Sequence, residues 1–334
     1  MGIQEAGHPG CTLGAVKNRA DVVIYWGLEP PHRVAPPRHL SRYTTFVNGK
    51  YRDNGHHDRT LVVVDIRETD TAKIADEFIR VKPGADYAVF SALRAILRGH
   101  ADILPATVGG VLRERLIWLA DLCRNTRFGG ALFTGGIGLT QSPGRYKNVR
   151  NAIQLVDELN RHTKFTLTPM RGHWNVNGTN QTFSYLTGYP PYGVDFSRGT
   201  PYYNPPGETT AVDLLRRGEA DACLIIGADP PGAHLPRRCN EHLATIPTIV
   251  IDPFVSLSTS FADLHIPVAC VGIDCEGTGY RMDSVPIRMK KVLSSGLPTD
   301  EEVLSEILSR VRERRQPYGV TVPKTPSSEA PPIA

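Results

Sequence analysis

Asp21-Val-Val-Ile-Tyr-Trp-Gly27-Leu-Glu29-Pro30-Pro31 and Asp221-Ala-Cys-Leu-Ile-Ile-Gly227-Ala-Asp229-Pro230-Pro231 are two copies of one pattern. Each copy runs on to a Pro-Arg pair, Pro37-Arg38 and Pro236-Arg237. Each then meets an apolar run ending in aspartate, Leu61 to Asp65 and Ile249 to Asp252. An Ala-Asp pair follows at the same spacing in both, Ala75-Asp76 and Ala262-Asp263. A repeat of this kind marks two related structural units that commonly build one site.

Working outward, residues 21–26 and 60–65 are continuous apolar runs without polar alternation. Strands of that composition belong to parallel sheets covered on both faces. Helical patterns follow at 84–99 and 107–124, a strand at 130–134, a helix at 145–161 and a strand at 165–168. The second copy brings a helix at 208–217, a strand at 222–226, a helix at 237–244 and a strand at 247–251. A charged helix is expected over 299–315, with Thr299 as its cap and Glu302 closing a capping box. Alternation of strand and helix gives an α/β fold of two αβα layered domains with mainly parallel sheets. The expected division is 1–105, 106–315 and a disordered Pro- and Ser-rich tail at 316–334.

No apolar run approaches the length of a membrane span, and the N-terminus lacks the pattern of a signal peptide. A cytoplasmic protein follows from that reading. A formal net charge of +4 without a lysine stripe excludes a nucleic-acid surface. The six cysteines carry no CxxC pair, so reduced structural thiols are expected rather than disulfides or a metal site. Cys270 and Cys275 supply at most half a ligand set.

Ligands of parallel α/β sheets sit at the carboxyl ends of strands. Gly27, Asp65, Gly135, Arg171, Gly227 and Asp252 all fall there. Gly135-Gly136-Ile-Gly138 is too short for a full dinucleotide fingerprint and reads as a tight strand-to-helix turn. Arg171-Gly-His173-Trp-Asn175-Val-Asn177-Gly178 gathers donors and acceptors just after a strand, as a cleft lining or as groups that satisfy loop backbone. Arg33, Arg38, His39 and Arg42 form a basic cluster after the first turn, suited to carboxylates or phosphates.

These motifs together resemble the molybdopterin oxidoreductase superfamily, and most closely the B subunits of formylmethanofuran dehydrogenase. The resemblance rests on the doubled turn, Asp65-Ile-Arg67-Glu-Thr69-Asp-Thr71-Ala72, the Arg171-to-Gly178 segment, Asp274-Cys-Glu276-Gly277-Thr278, and Gly193-Val-Asp195-Phe-Ser197-Arg198-Gly199. It covers about residues 1–312. It implies that two αβα domains clasp a bis-pyranopterin guanine dinucleotide, with the paired turns and aspartates on its nucleotide arms. It also implies a tungsten or molybdenum ion and a 4Fe-4S cluster, held by cysteines in a segment ahead of the position matched by Met1.

Two departures shape the expectation. Those cysteines are not in this sequence, and Glu29 stands where the family carries asparagine, placing a carboxylate near a phosphate-bearing ligand. The expectation is therefore a non-redox scaffold, like the B subunit of the bacterial formyltransferase/hydrolase complex of methylotrophs. It would bind no metal and no cofactor of its own and supply no catalytic residue. Its partners would be the amidohydrolase-like A, the formyltransferase-like D and the C subunits. A vestigial cleft would comprise Gly27, Glu29, Asp65, Arg67, Thr69, Arg171, His173, Asn175, Gly227 and Asp252. Arg33, Arg38, His39 and Arg42 would lie near it and help to hold a methanofuran-like carrier. The alternative is part of a catalytic tungsten or molybdenum subunit. A free-standing nucleotide-binding enzyme would need a phosphate loop that the sequence lacks.

Overall fold

α1 (Leu13–Arg19) leads into β1 (Val22–Trp26), the apolar run of the first copy, buried at every residue. The computed structural model describes residues 7, 9–28, 49–127, 129–135, 146–170, 174–203, 208–233 and 235–315. β2 (Thr60–Asp65), α2 (Asp70–Lys73) and β3 (Glu77–Arg80) follow. Next come α3 (Asp86–Leu97), the short strands β4 (Thr107–Val108) and β5 (Val111–Leu112), and α4 (Arg113–Arg124). β6 (Gly130–Gly135), α5 (Tyr146–Leu159) and β7 (Thr166–Met170) complete a five-stranded sheet of order β3-β2-β1-β6-β7. Every pairing in it is parallel. Pro169 is accommodated because β7 is an edge strand, where a missing amide costs no ladder bond.

Successive strand residues point to opposite faces, and both faces are covered. Val22, Ile24, Trp26, Val62, Val64 and Leu132 pack with residues of α3, α4 and α5. Val23, Tyr25, Leu61, Val63 and Ala131 pack with Leu13 and Val16 of α1 and with Ala72. That double coverage explains the absence of polar alternation. Trp26 stacks on Phe90, ring centroids 4.1 Å apart, and its indole N–H donates to Asp86 at 2.9 Å. Buried Arg59 donates to the carbonyls of Ala20, Val16 and Lys17 and so closes the end of α1. Burial lowers its pKa to about 10.

α6 (Val176–Thr187) carries the chain into a second unit. There β8 (Val194–Asp195) pairs with β9 (Tyr202–Tyr203). α7 (Ala211–Arg217), β10 (Cys223–Ile226), α8 (Pro230–Ala233), α9 (Arg237–Leu243), β11 (Thr248–Ile251), α10 (Leu257–Phe261) and β12 (Leu264–Ile266) follow. β10, β11 and β12 form a parallel sheet in that order. Its core is small: Leu215, Ile225, Cys239, Leu243 and Val250. β13 (Gly277–Tyr280) and β14 (Pro286–Met289) make a hairpin, and α11 (Asp300–Arg315) ends the described chain. Thr299 and Glu302 form the expected reciprocal cap, at 2.8 and 3.2 Å.

The units do not follow the expected boundary at residue 105. The first takes residues up to Thr179 together with Tyr280–Pro286; the second takes Asn180–Gly279 and the chain from Ile287. β6 and β7 join the far side of β1, so one sheet runs across the expected division. The helix expected from 107 begins at Arg113, because Gly109 and Gly110, at φ +61° and +88°, shape a turn between β4 and β5. Among the described residues no helix is long and apolar enough to cross a membrane.

Candidate functional site: two matching turns at strand ends

β1 ends at Gly27, whose amide donates to the Val64 carbonyl at 2.9 Å. Its φ of +58° selects glycine, and a Cβ there would meet nothing within 4 Å. The glycine is fixed by backbone conformation and leaves open space above the strand end. Beside it, the Asp65 carboxylate is 8 % exposed, and its Oδ1 accepts from the Arg67 amide at 3.2 Å. Thr69 caps α2 by accepting from Ala72 N at 3.2 Å. Asp76 reaches back to accept from Leu61 N at 2.7 Å and pins the start of β2.

The second copy repeats these bonds. Gly227, at φ +55° and again with nothing near its Cβ position, donates to the Ile251 carbonyl at 2.9 Å. Asp252 is 8 % exposed and its Oδ1 accepts from Phe254 N at 2.8 Å. Ser256 caps α10 with a capping box. Asp263 accepts from Thr248 N at 2.8 Å, at the start of β11. In each turn one aspartate oxygen serves the backbone, and among the described residues no donor reaches Oδ2. A buried carboxylate with an open oxygen, next to an uncrowded glycine at a strand end, suits a ligand N–H or hydroxyl beside a closely approaching phosphate. In the first unit this point is also the topological switch, because the chain leaves β1 to opposite sides through β2 and β6.

The acid of the second turn has a defined task. Asp229 Oδ1 accepts from both the amide and the hydroxyl of Ser258, at 2.8 and 2.7 Å. Those bonds hold its carboxyl below the usual carboxylate range. An acid at this position can therefore be directed to a helix start rather than to a ligand. The repeat aligns Glu29 with Asp229 and Thr71 with Ser258. Among the described residues the buried Thr71 hydroxyl has no hydrogen-bond partner. This clasp was missed in the sequence, although its signal was there: a hydroxyl residue stands at the same spacing after Asp65 and after Asp252. Asp300, at the start of α11, has its carboxyl pushed up by burial and by the charge of Asp252.

The other expected site residues divide into two groups. Glu29, Arg33, Arg38, His39, Arg42, Arg171 and His173 lie outside the described residues, as does the Gly136-to-Gly138 turn. Arg67 is exposed beside Asp65. Asn175 is committed to chain anchoring. It adopts φ +51°, and its side-chain oxygen accepts from Tyr280 N at 2.8 Å. Asn177 Nδ2 donates to the carbonyls of Arg281 and Met282 at 2.9 and 2.5 Å. Gly178 has no room for a Cβ, which would collide with Asn175 Oδ1. These residues tie the returning segment into the first unit. No group of His, Cys, Asp and Glu among the described residues is arranged to hold a metal. All six cysteines are free thiols, and burial pushes Cys123 to about 12.

The chain is 50% identical over 315 residues to the B subunit of tungsten-containing formylmethanofuran dehydrogenase 2 of Methanocaldococcus jannaschii, covering 94% of this chain and 71% of that protein. The corresponding protein of Methanococcus maripaludis is 45% identical, with the same coverage of both chains. The chain belongs to the family of formylmethanofuran dehydrogenase B subunits. No protein-family model matches it. A solved structure of the formyltransferase/hydrolase complex of Methylorubrum extorquens with methylofuran shares the fold. The TM-score is 0.71 at 19% identity, over 94% of this chain and 80% of the other. Acetylene hydratase of Pelobacter acetylenicus shares it more loosely, with a TM-score of 0.58 at 12% identity, over 92% of this chain and 50% of the other. The α/β fold with mainly parallel sheets is thus that of these B subunits and their molybdopterin-oxidoreductase-like relatives.

Proposed function

We propose that this chain is the nucleotide-holding part of the B subunit in a cytoplasmic, hetero-oligomeric formylmethanofuran dehydrogenase. The observation that carries this reading is 50% identity to a tungsten-containing B subunit over 94% of the chain. The residues of the two turns fit the group. Gly27 and Gly227 leave open strand ends for phosphates. The buried Asp65 and Asp252 carboxylates each keep one oxygen for a guanine N–H or a ribose hydroxyl. Thr69 and Ser256 fix the helix starts beside them. When bound, a tungsten or molybdenum pterin would supply two-electron chemistry between carbon dioxide and formate, the oxidation level of the formyl group. This chain's residues would orient its nucleotide arms.

A second reading is a non-redox subunit that holds the A, C and D subunits of a formyltransferase/hydrolase complex together. In that reading the basic cluster Arg33, Arg38, His39 and Arg42 helps to retain a methanofuran-like carrier. The specific observation in its favour is the fold shared over 94% of this chain with a structure of such a complex. The Glu29 carboxylate counts less for it, because Asp229 in the matching position spends its charge on Ser258. Metal and nucleotide analysis of the complex from its native host distinguishes the two. Tungsten or molybdenum near one per copy of this chain, with guanosine monophosphate released on acid hydrolysis, supports the first reading. Absence of both, in a complex that still yields formate from the formylated carrier, sinks it.

A further inference from the structure

The amino-terminal edge of the first sheet carries a second charged feature, at the end of β1 away from Gly27. Five strand residues separate the two edges by about 16 Å. Arg19 closes α1 just before β1, Lys50 to Asp53 precede β2, and Arg127 precedes β6. Arg19, Lys50, Tyr51, Arg52, Asp53 and Arg127 line an open groove of about 640 Å³.

Arg52 is the floor of this groove. It pairs with Asp21 and donates to the carbonyls of Arg19 and Asp58. Its Nε is buried with no partner among the described residues. Tyr51, 54% exposed, has the Arg19 guanidinium 4.9 Å and the Lys50 ammonium 5.4 Å from its ring centre, so one aromatic ring contacts two cations. Lys50 and Arg127 form no ion pair among the described residues. Burial is the main cause that lowers the Arg52 pKa, and the Arg127 charge acts in the same direction. Asp53 is the one carboxylate among the described lining residues. Four cations therefore meet one lining acid, with Asp21 already engaged by Arg52.

We propose that this groove is a binding site for a diphosphate-bearing anion, held by Lys50 and Arg127 with Arg19 in support. Guanidinium forks match phosphate oxygens in pairs, and the ammonium adds a compact point charge. Four cations against Asp53 and the engaged Asp21 leave two positive charges, which a dianion balances and a monoanion does not. The α1 carbonyls that would repel an anion are already covered by Arg52 and Arg59.

The test is isothermal titration of the purified chain with sodium pyrophosphate at low ionic strength. Saturable binding is expected, and the Lys50→Ala, Arg127→Ala double variant should weaken it by roughly tenfold or more. Both positions are surface side chains, and unchanged far-UV circular dichroism confirms the fold. Adenosine diphosphate is titrated in parallel. Affinity equal to pyrophosphate assigns the site to free diphosphate, and higher affinity assigns it to a nucleotide. No saturable binding by the parent chain overturns the proposal. So does undiminished binding by the variant, which would put the anion elsewhere, the paired turns included.

Discussion

The two copies of the repeat share the bonds of the glycine, the strand-end aspartate, the helix cap and the strand-pinning aspartate, and disagree in what surrounds them. In the first, Ile24 and Trp26 are 4% and 1% exposed under α3, α4 and α5. Their counterparts in the second, Leu224 and Ile226, are 46% and 43% exposed. The turn is thus a local device: a left-handed glycine, an aspartate that bonds two residues on, a hydroxyl cap and an aspartate that pins the next strand. Coverage of the sheet is a separate property that needs distant helices. The repeat preserved the first and not the second.

The largest test of that difference is truncation of the same repeat position in each copy. Trp26→Ala should cost about 3–5 kcal/mol, because it removes a buried ring and leaves Asp86 without its donor. Ile226→Ala should cost less than about 1 kcal/mol. Urea unfolding followed by far-UV circular dichroism reads both. Equal costs would mean that the Ile226 face is covered in solution and would erase the contrast.

The clasp comes next. Ser258→Ala should destabilise by about 1–3 kcal/mol, because it removes a buried donor to a carboxylate. Thr71→Val should stay within about 0.5 kcal/mol, because its hydroxyl has no partner among the described residues. Amide hydrogen exchange in α10 and α2 localises the two effects. A large cost for Thr71→Val would show that the first copy has a clasp of its own.

The pinning aspartates should behave alike. Asp76→Ala and Asp263→Ala each lose one bond to a strand amide, at 2.7 and 2.8 Å, and should each cost about 1–2 kcal/mol. Costs that differ widely would limit the equivalence of the copies to geometry.

The smallest effect is one of pH. The Ser258 bonds lower the folded-state pKa of Asp229. Its contribution is therefore complete above the ordinary carboxylate range and is lost as pH falls through the lowered folded value. Asp229→Asn should flatten the acid limb of second-unit stability. An unchanged limb would show that the carboxylate is exposed to water and does not act as a clasp.

Much of the fold was legible because its signals are local. Unbroken apolar runs mark β1 and β2, and Thr299 with Glu302 marks the start of α11. β3 was hidden because Glu77 and Arg80 flank only two apolar residues, and α6 because its Asn-, Gly- and Thr-rich sequence reads as loop. The repeat fixed the positions of Gly27, Asp65, Gly227 and Asp252, since φ and two-residue bonds depend on near neighbours alone. Tertiary structure decided the strand order that carries β6 and β7 across the expected boundary. It also decided that Asn175 and Asn177 anchor a segment about a hundred residues away. Pairing partners and covering layers are set by contacts between distant parts of the chain, and a local pattern does not encode which of them will meet.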